Sequence, residues 1–400
     1  MKQAAAKHIT IGIGGGISAY RTLELIRLLK KSGASVTVAP TKAALHFVTE
    51  LSLETLSQSA CLCHPLQTNN GQISHIEEAY RTDLIVIAPA TCDLIAKMAH
   101  GFADEILLQT LLSFQGPVLI APAMETHMWQ HPATQANIEI LRNRGIQIIG
   151  PDSGDLASGR QGLGRMASVD AIFEHILAML TPKDLAGIQA LVTAGPTIES
   201  LDPIRFLSNH SSGKMGVALA KALAQRGAMV HLVHGPMSVT PPRLANIRTY
   251  PIRSANDMLG QVLELVDHVQ LAICCAAVAD YRPTQVVQEK IKKSQENTTL
   301  ALVKNPDILR TLGQLSPKPF LVGFAAETSD LEKNAWQKCL EKSCDLLCAN
   351  LITKANPVFG ADENQILVFD QNGLILHIEN QSKDRVAHLI LDTVRQRLVF

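Results

Sequence analysis

The chain lacks a net charge, because its 36 Lys and Arg residues balance 36 Asp and Glu residues among 400. A neutral chain has no general electrostatic attraction for nucleic acid or an anionic membrane, so we expect neither as a partner, while local anion sites stay open. It also lacks the run of roughly eighteen apolar residues that a membrane-spanning helix needs. We therefore predict a globular cytoplasmic protein.

The eight cysteines include no C-x-x-C pair. Zinc sites and redox dithiols commonly use such pairs, so we expect reduced, mostly buried thiols rather than a zinc site or disulfides. The stretch MKQAAAKHITIGIGGGIS combines basic residues with an apolar run, as a signal peptide does. Three consecutive glycines interrupt that run, and it is better explained as a first β-strand with its loop.

Short β-branched runs alternate with helix-length stretches in two successive series. Near-continuous apolar strands with helical crossovers are typical of a parallel sheet covered on both faces. A chain of this length is also too long for one core. We predict two α/β domains, each a Rossmann-like three-layer fold, at 1–180 and 189–400, joined by a linker at 181–188.

The elements are predicted from the positions of these runs. Strands are expected at 8–13, 35–39, 83–90, 117–121 and 146–150, and helices near 17–32, 91–113 and 133–144. Later strands are expected at 190–195, 229–235, 270–277 and 319–326, with a helix over 330–342. QILVFDQNGLILHIEN predicts a hairpin with its turn at Asn372-Gly373. Ligands of such folds bind beyond the carboxyl ends of the strands, so the loops there are the candidate sites.

Two glycine-containing loops are similar to nucleotide-binding motifs without matching them. GIGGGISAY fits G-x-G-x-x-G poorly, because Ala19 takes the last position, and the second strand ends without the acid that binds the ribose of NAD. FMN, with one phosphate and no second ribose, suits this loop better. In NHSSGKMG (209–216) and the residue before it, Ser208 and Met215 stand where a Walker A motif needs Gly and Ser or Thr. It remains a polar helix start of the kind that binds anions.

Polar residues also follow the later strands. Asp280 lies in AAVADYRP, and lysines follow in EKIKK (289–293) and VKNPD (303–307). Each lysine alone is adequately explained as a solvated surface charge. Together they suit a nucleoside triphosphate, whose phosphates the cations would balance while Asp280 shares a divalent ion with them.

These motifs resemble those of the bifunctional phosphopantothenoylcysteine decarboxylase / phosphopantothenate–cysteine ligase family of bacterial coenzyme A synthesis. The first half carries GIGGGISAYR, ISHIEEAYRTDLIVIAPATCDLIAKMAHGFAD, PAMETHMW and GPDSG…GLGRM. The second carries VTAGPTIESLDPIRFLSNHSSGKMG, AAVADYRP, EKIKK, VKNPD and VGFAAET. The resemblance implies FMN, Mg²⁺ with CTP, small-molecule substrates only, and a homo-oligomer assembled through both halves.

For the second half the resemblance implies a ligase. CTP would activate the carboxylate of 4′-phosphopantothenate as an acyl-cytidylate, and the amine of cysteine would then displace CMP. Asn209 would bind the acyl carbonyl, Lys290 would serve the acyl-cytidylate chemistry, and Asp280 would share Mg²⁺ with the triphosphate. The residues implied to contact CTP are Cys274, Cys275, Ala276, Asp280, Lys304, Asn305, Pro306, Asp307, Phe324, Lys338 and Lys342.

For the first half the resemblance implies a flavoprotein decarboxylase, with His75 of ISHI as its catalytic histidine. In this family FMN oxidises the thiol side of phosphopantothenoylcysteine to a thioaldehyde, which accepts the electrons as CO₂ leaves. The resulting enethiol is then protonated and reduced. The residues implied to bind FMN are Gly14, Gly15, Gly16, Ser18, Thr91 and Asp104.

Two catalytic positions depart from the family pattern. Glu125 stands where the motif PAMN has an asparagine that binds the substrate carboxylate, and two carboxylates repel each other. Ser158 stands where a cysteine protonates the enethiol, and a hydroxyl is a weaker acid than a thiol, whose pKa is about 8.5. One alternative is therefore a ligase with a first half that is only a flavin-holding or oligomerising scaffold. A generic NAD-dependent oxidoreductase is the other, which the missing ribose acid disfavours.

Overall fold

The computed structural model describes residues 4, 6–63, 68–69, 72–242, 244–291, 299–327, 330–351 and 360–398. The chain divides into two compact units, Met1–Thr181 and Pro182–Phe400. Both are α/β folds in which helices cover a largely parallel sheet, and this confirms the predicted fold class. No helix in the described part of the chain is long and apolar enough to cross a membrane.

The first unit is built on a five-stranded parallel sheet. The strands of the whole unit, inside and outside that sheet, are β1 (His8–Ile13), β2 (Ser35–Pro40), β3 (Thr68–Asn69), β4 (Gln72–Ile73), β5 (Leu84–Ala90), β6 (Val118–Pro122), β7 (Gln147–Ile148), β8 (Asp152–Asp155) and β9 (Gln161–Arg165). Its helices are α1 (Ala19–Lys31), α2 (Glu50–Ser57), α3 (Ser74–Arg81), α4 (Cys92–His100), α5 (Ile106–Ser113), α6 (Thr126–Gln130), α7 (Pro132–Asn143) and α8 (Val169–Leu180). The sheet order is β2-β1-β5-β6-β7, while β3–β4 and β8–β9 form separate hairpins.

The central strand β5 shows why this sheet is covered on both faces. All seven of its residues are buried. Its side chains alternate between two cores: Leu84 and Val86 pack with α1 and α8, and Ile85 and Ile87 pack with α4, α5 and α7. An uninterrupted apolar strand is what such two-sided burial requires.

The prediction of one continuous helix over 91–113 is wrong, because the structure has two helices there. α4 ends at Gly101, whose φ of +73° lies in the left-handed region that favours glycine after a helix. Residues 102–105 then connect it to α5. The strand predicted at 146–150 is shorter, Gln147–Ile148, and the hairpin β8–β9 that follows was not predicted.

The second unit is built on an eight-stranded sheet. The strands of the whole unit, which include the separate pairs β11–β12 and β16–β17, are β10 (Gln189–Ala194), β11 (Ile198–Ser200), β12 (Phe206–Ser208), β13 (Met229–His234), β14 (Ile247–Pro251), β15 (Leu271–Cys274), β16 (Tyr281–Pro283), β17 (Leu302–Lys304), β18 (Phe320–Glu327), β19 (Leu346–Leu351), β20 (Glu363–Asp370) and β21 (Gly373–Ser382). Its helices are α9 (Lys214–Gln225), α10 (Ala255–Val266), α11 (Ile308–Gly313), α12 (Leu331–Glu341) and α13 (Lys383–Arg397).

The main sheet of this unit has the order β14-β13-β10-β15-β18-β19-β20-β21. It is parallel as far as β19, and β20 and β21 complete it as the predicted antiparallel hairpin. The turn lies one residue earlier than predicted, because Asp370 pairs with Gly373 and leaves Gln371 and Asn372 as the connection. Gly373, with φ of +122°, opens β21.

Each sheet has one point where the strand order reverses. In the first unit it lies between β1 and β5, and in the second between β10 and β15. The loops after these strands diverge there and leave a crevice at the carboxyl edge of the sheet, which is where open α/β sheets bind ligands.

Candidate active sites

The first unit has a cavity of about 470 Å³ at the carboxyl edge of its sheet. The loops after β1, β5 and β6 form it together with the tip of the hairpin β8–β9. The predicted site residues that line it are Gly15, Gly16, Ser18, Thr91, Glu125 and Ser158.

The loop after β1 needs glycine because its backbone runs close to its neighbours. A Cβ on Gly15 would lie 2.3 Å from the Cβ of Ala43, and one on Gly14 would lie 2.6 Å from the carbonyl oxygen of Pro89. Gly14 donates its N–H to that carbonyl at 2.9 Å. A Cβ on Gly16 would meet nothing closer than 3.6 Å. The first two glycines therefore allow this close packing, and the loop then leads into α1.

Two further groups give this cavity its polar character. Thr91 caps α4 by accepting a hydrogen bond from the N–H of Leu94 at 3.3 Å. Glu105 lines the wall, and its Oε2 is buried with no hydrogen-bond partner among the described residues. Burial raises the pKa of Glu105. An acceptor of this kind suits a hydroxyl group of a bound ligand.

Glu125 has a structural role that the sequence analysis missed. Its Oε2 accepts the N–H of His127 at 2.6 Å, so Glu125 caps α6. A carboxylate is favoured at a helix N-terminus. The segment is held from the other side by Gly164, whose carbonyl accepts the N–H of Met124 at 2.9 Å, and a Cβ on Gly164 would lie 2.1 Å from the Met124 oxygen. Ser158 lines the same cavity from the hairpin tip.

Three predicted residues do not line this cavity: Gly14, Asp104 and His75. Asp104 is exposed and pairs with Lys97 at 2.9 Å, which lowers the pKa of Asp104 and raises that of Lys97. Lys97 itself lines the cavity and was not predicted. His75 lies on α3, and its buried Nδ1 has no hydrogen-bond partner in the described part of the chain.

The second unit has a larger cavity, of about 1020 Å³, at the crevice between β10 and β15. Every predicted site residue of this unit lines it except Lys290. The members are Asn209, Cys274, Cys275, Ala276, Asp280, Lys304, Asn305, Pro306, Asp307, Phe324, Lys338 and Lys342.

Two asparagines hold the loop after β15 in place. Asn209 donates from Nδ2 to the carbonyl oxygens of Ala277 at 3.1 Å and Val278 at 3.2 Å. From the other side Asn305 donates from Nδ2 to the carbonyl of Ala279 at 2.8 Å and from its N–H to the carbonyl of Asp280 at 2.8 Å. These contacts fix the backbone that presents the Asp280 carboxylate to the cavity.

The predicted lysines on α12 and just after it are held by carboxylates. Lys338 pairs with Glu327 at 2.6 Å, and Lys342 pairs with Asp307. Asp307 also caps α11 by accepting the N–H of Arg310 at 3.0 Å. Both ammonium groups are thereby kept at the cavity wall.

The cysteines of this cavity are neutral thiols. Burial raises the pKa of Cys274 and of Cys275 to about 12. All eight cysteines of the chain are free. Within the described residues there is no group of three or more His, Cys, Asp or Glu that could hold a metal ion by itself.

Lys290 is exposed, and its neighbour is anchored to a buried carboxylate. Ile291 donates its N–H to Asp202 Oδ2 at 3.2 Å, and Asp202 also accepts the N–H groups of Ile204 and Arg205 at 2.8 Å each. Although burial favours the protonated form, these hydrogen bonds lower the pKa of Asp202 to about 2. The last two lysines of EKIKK lie outside the described residues.

Several cavity residues of the second unit were not predicted as site residues: Lys214, Asn350, Asn364 and Lys383. Lys214 belongs to the SSGKMG stretch, which indicated an anion-binding helix start. Lys383 opens α13 and no motif surrounds it, so the sequence offered no signal for it.

Both units match known protein families. Residues 2–181 match the flavoprotein family, and residues 185–398 match the DNA/pantothenate metabolism flavoprotein C-terminal domain. The chain is 45% identical over 371 residues to the coenzyme A biosynthesis bifunctional protein CoaBC of Haemophilus influenzae, covering 92% of each chain. It is 42% identical over 404 residues to that of Vibrio cholerae, covering 100% of each.

Two solved structures are similar to parts of this chain. A crystal structure of the C-terminal domain of CoaBC is 36% identical, covers 54% of this chain and 98% of its own, and has a TM-score of 0.46. A mutant PPC decarboxylase complexed with pantothenoylaminoethenethiol is 29% identical, covers 42% and 96%, and has a TM-score of 0.40.

The full-length matches to bifunctional proteins do not favour the alternative in which the first unit is only a scaffold. On these matches, and on the two family domains that together span nearly the whole chain, the protein belongs to the CoaBC family of bifunctional coenzyme A biosynthesis proteins.

Proposed function

We propose that the second unit ligates cysteine to 4′-phosphopantothenate with CTP, and that the first unit decarboxylates the product, phosphopantothenoylcysteine, to 4′-phosphopantetheine with FMN. The observation that supports both steps is the position of the two cavities. Each lies where the strand order reverses, and each is lined by most of the residues that the family resemblance implies.

In the ligation, the substrate carboxylate attacks the α-phosphorus of CTP, an acyl-cytidylate forms and pyrophosphate leaves. Lys304, Lys338 and Lys342 would balance the triphosphate charge at the cavity wall. Asp280 would hold Mg²⁺ together with phosphate oxygens. Mg²⁺ commonly takes only one or two protein carboxylates beside phosphates and water, so a cavity without a three-ligand cluster among its described residues fits this ion.

In the second half of the ligation, the amine of cysteine attacks the acyl carbonyl and CMP leaves. Asn209 is a neutral donor at the cavity wall and would stabilise the charge that develops on the carbonyl oxygen. To do so its amide would exchange one of its bonds to the carbonyls of Ala277 and Val278 for the substrate. Lys290, next to the anchored Ile291, would serve the acyl-cytidylate chemistry.

The first cavity fits FMN in three respects. The loop after β1 leads into the start of α1, where a phosphate is favoured. Gly15, Gly16, Ser18 and Thr91 line the same wall. The unpartnered Oε2 of Glu105 would accept a hydrogen bond from a ribityl hydroxyl. Bound FMN would supply the oxidation of the thiol carbon and the later return of the electron pair.

The chain's own residues would complete the decarboxylation. Ser158, at the hairpin tip, would deliver the proton to the enethiol carbon, more slowly than a thiol would. Glu125 faces the substrate with a carboxylate already bound to the N–H of His127, which reduces its repulsion of the substrate carboxylate. Its replacement of asparagine would therefore weaken substrate binding without abolishing it.

We also propose a homo-oligomer in which the first unit takes part. His75 does not line the cavity of its own chain. Beside it, Ile73, Ile76 and Tyr80 expose apolar side chains, and Tyr80 is 88% exposed. An apolar surface of this kind is typical of a contact between subunits.

The ligase assignment is tested with purified protein, CTP, cysteine and 4′-phosphopantothenate. We expect CMP and pyrophosphate to form in equal amounts with the amide product. Omitting 4′-phosphopantothenate should stop both. CTP-independent turnover, or no turnover with all three substrates, would overturn the assignment.

A further inference from the structure

The helix α3 carries His75 but has little apolar surface with which to pack on the first unit. It has only eight residues, and an isolated helix of that length is unstable in water. Of its three apolar residues, Ile76, Ala79 and Tyr80, only Ala79 is buried. Polar contacts must therefore contribute much of what holds α3 in place.

A buried carboxylate on α3 makes such contacts. Glu78 lies three residues after His75 and is only 1% exposed. Its Oε1 accepts hydrogen bonds from Thr10 Oγ1 at 2.6 Å and from His8 Nε2 at 2.9 Å. His8 and Thr10 are alternate residues of β1, so their side chains lie on one face of that strand. Glu78 thus joins α3 to this face of β1.

Arg81 extends the connection to the neighbouring strand. Its Nε donates to Glu78 Oε2 at 2.5 Å, and its Nη2 donates to Thr37 Oγ1 of β2 at 2.8 Å. Thr37 is the residue of β2 that pairs with Thr10 of β1. One oxygen of the Glu78 carboxylate is therefore bonded to β1, and the other is linked through Arg81 to β2.

This network is built around the ionised form of Glu78. Although burial favours the protonated carboxyl, hydrogen bonds from His8 and Thr10 and the charge of Arg81 lower the pKa of Glu78. A carboxylate accepts such hydrogen bonds more strongly than a neutral amide does. Loss of this charge would weaken the attachment of α3 even if the shape of the side chain were kept.

The position of His75 depends on this attachment. Residues three apart on a helix are neighbours on its surface, so His75 and Glu78 lie one turn from each other. The buried Nδ1 of His75 has no hydrogen-bond partner among the residues that the structure describes, so this nitrogen is not held by a contact of its own to them. The placement of α3 therefore decides what the imidazole can reach.

We propose that Glu78 is a positioning residue for the decarboxylation, and that it acts by holding α3, and with it His75, on β1 and β2. This inference rests on the proposed function of the first unit and on the predicted role of His75 in it. Reacting groups need such support because a displacement of about 1 Å is enough to slow a reaction strongly. Directional, charge-assisted hydrogen bonds to two strands supply it.

The test compares two matched substitutions in the full-length, flavin-loaded protein. Glu78→Gln removes the buried charge, and Glu77→Gln removes a charge from the adjacent residue, which takes no part in the network. We expect Glu78→Gln to lower kcat for decarboxylation of phosphopantothenoylcysteine roughly tenfold or more, with KM and flavin content unchanged. Glu77→Gln should leave kcat unchanged. CTP-dependent ligation by the second unit is the internal control.

A second variant keeps the test decisive if Glu78→Gln fails to fold, which thermal unfolding would show. Thr10→Val removes one donor to Glu78 and keeps the size of a fully buried side chain. It should lower kcat by less than Glu78→Gln does, because His8 and Arg81 still hold the carboxylate. An unchanged kcat in folded Glu78→Gln, or in Thr10→Val where Glu78→Gln does not fold, would overturn the proposal. So would a loss of activity that lost flavin accounts for.

Hydrogen exchange separates the placement of α3 from the decarboxylase assignment. The backbone amides of residues 74–81 should exchange faster in Glu78→Gln than in the wild type or Glu77→Gln, because a weakly attached helix opens more readily. If the wild type does not decarboxylate but this difference is seen, the function is wrong and the attachment of α3 by Glu78 stands. If all three proteins exchange alike over 74–81, the proposal is wrong.

Discussion

The two units place their cavities at the same point of similar sheets but line them with opposite charge. Among the described residues, the first cavity is lined by four carboxylates and two basic residues: Asp93, Glu105, Glu125 and Asp155, with Lys97 and Arg165. The second is lined by two carboxylates and six lysine or arginine residues: Asp280 and Asp307, with Lys214, Lys304, Arg310, Lys338, Lys342 and Lys383.

This difference in charge between the two cavities matches the ligands that we propose for them. A triphosphate and a phosphomonoester bring several negative charges into one cavity, and its lysines and Arg310 place positive charge near them. A flavin mononucleotide brings one phosphate, for which a helix N-terminus is sufficient. The fold supplies the crevice in both units, and the side chains on its loops decide what binds there.

The largest expected effect is in the second unit. Asn209→Asp replaces a neutral donor with a carboxylate and removes the donations to Ala277 and Val278. We expect ligation to fall by roughly 10²–10³-fold, the usual cost of losing one such donor. Flavin content should be unchanged, because the first unit is not altered. Full ligation by this variant would contradict the role of Asn209.

Glu125→Asn tests the main departure of the first unit from its family. Asparagine also caps helices, so α6 should remain intact. Removing one of two facing carboxylates should lower the KM for phosphopantothenoylcysteine, by roughly tenfold if the charges are close. Steady-state decarboxylation measures this, with ligation by the second unit as the internal control. A higher KM would mean that Glu125 helps to bind the substrate.

The glycine loop of the first unit is tested by a matched pair of substitutions. In Gly15→Ala the new Cβ would lie 2.3 Å from that of Ala43, whereas in Gly16→Ala the nearest atom is 3.6 Å away. We expect Gly15→Ala to purify with several-fold less flavin than Gly16→Ala. Flavin absorbance relative to protein is the measurement. Equal flavin content would show that the close approach of this loop does not matter for binding.

The smallest expected effect concerns the pH dependence of stability in the second unit. The pKa of Asp202 is lowered from 3.8 to about 2, so the folded state favours its ionised form. Its contribution to stability is therefore present above pH 3.8 and is lost as the pH falls towards about 2. Asp202→Asn should be less stable than the wild type at neutral pH, and the difference should shrink over that interval.

The chain has two tryptophans, which allow the stability of the second unit to be measured in the full-length protein. Trp129 lies in the first unit and Trp336 in the second. In a Trp129→Phe background, the fluorescence of Trp336 reports urea unfolding of the second unit alone. A difference between Asp202→Asn and its parent that stays constant from pH 7 to pH 2 would contradict the assigned pKa.

The strands were predictable because burial on both faces of the sheet requires a nearly continuous run of apolar residues. HITIGI and MVHLVHG predicted β1 and β13 to within one residue, since each apolar position has a core to face. The break between α4 and α5 was missed because the apolar residues continue on both sides of Gly101. The positive φ of that glycine marks the end of α4.

The candidate sites were predictable where a motif surrounds them. The residues of NHSSGKMG, AAVADYRP and VKNPD converge at one sheet edge because parallel strands present their carboxyl ends together. Lys383 was missed because its helix follows the antiparallel hairpin and carries no motif. The helix-capping role of Glu125 was missed because α6 has only five residues and leaves little periodic signal.

If both units are catalytic, the protein must decarboxylate phosphopantothenoylcysteine as well as form it. Flavin-loaded full-length protein is given phosphopantothenoylcysteine, and CO₂ and 4′-phosphopantetheine are followed together. We predict that both form in equal amounts, which would show that Glu125 and Ser158 sustain the reaction. If neither forms while CTP-dependent ligation is intact, the first unit is not a decarboxylase and the account is contradicted.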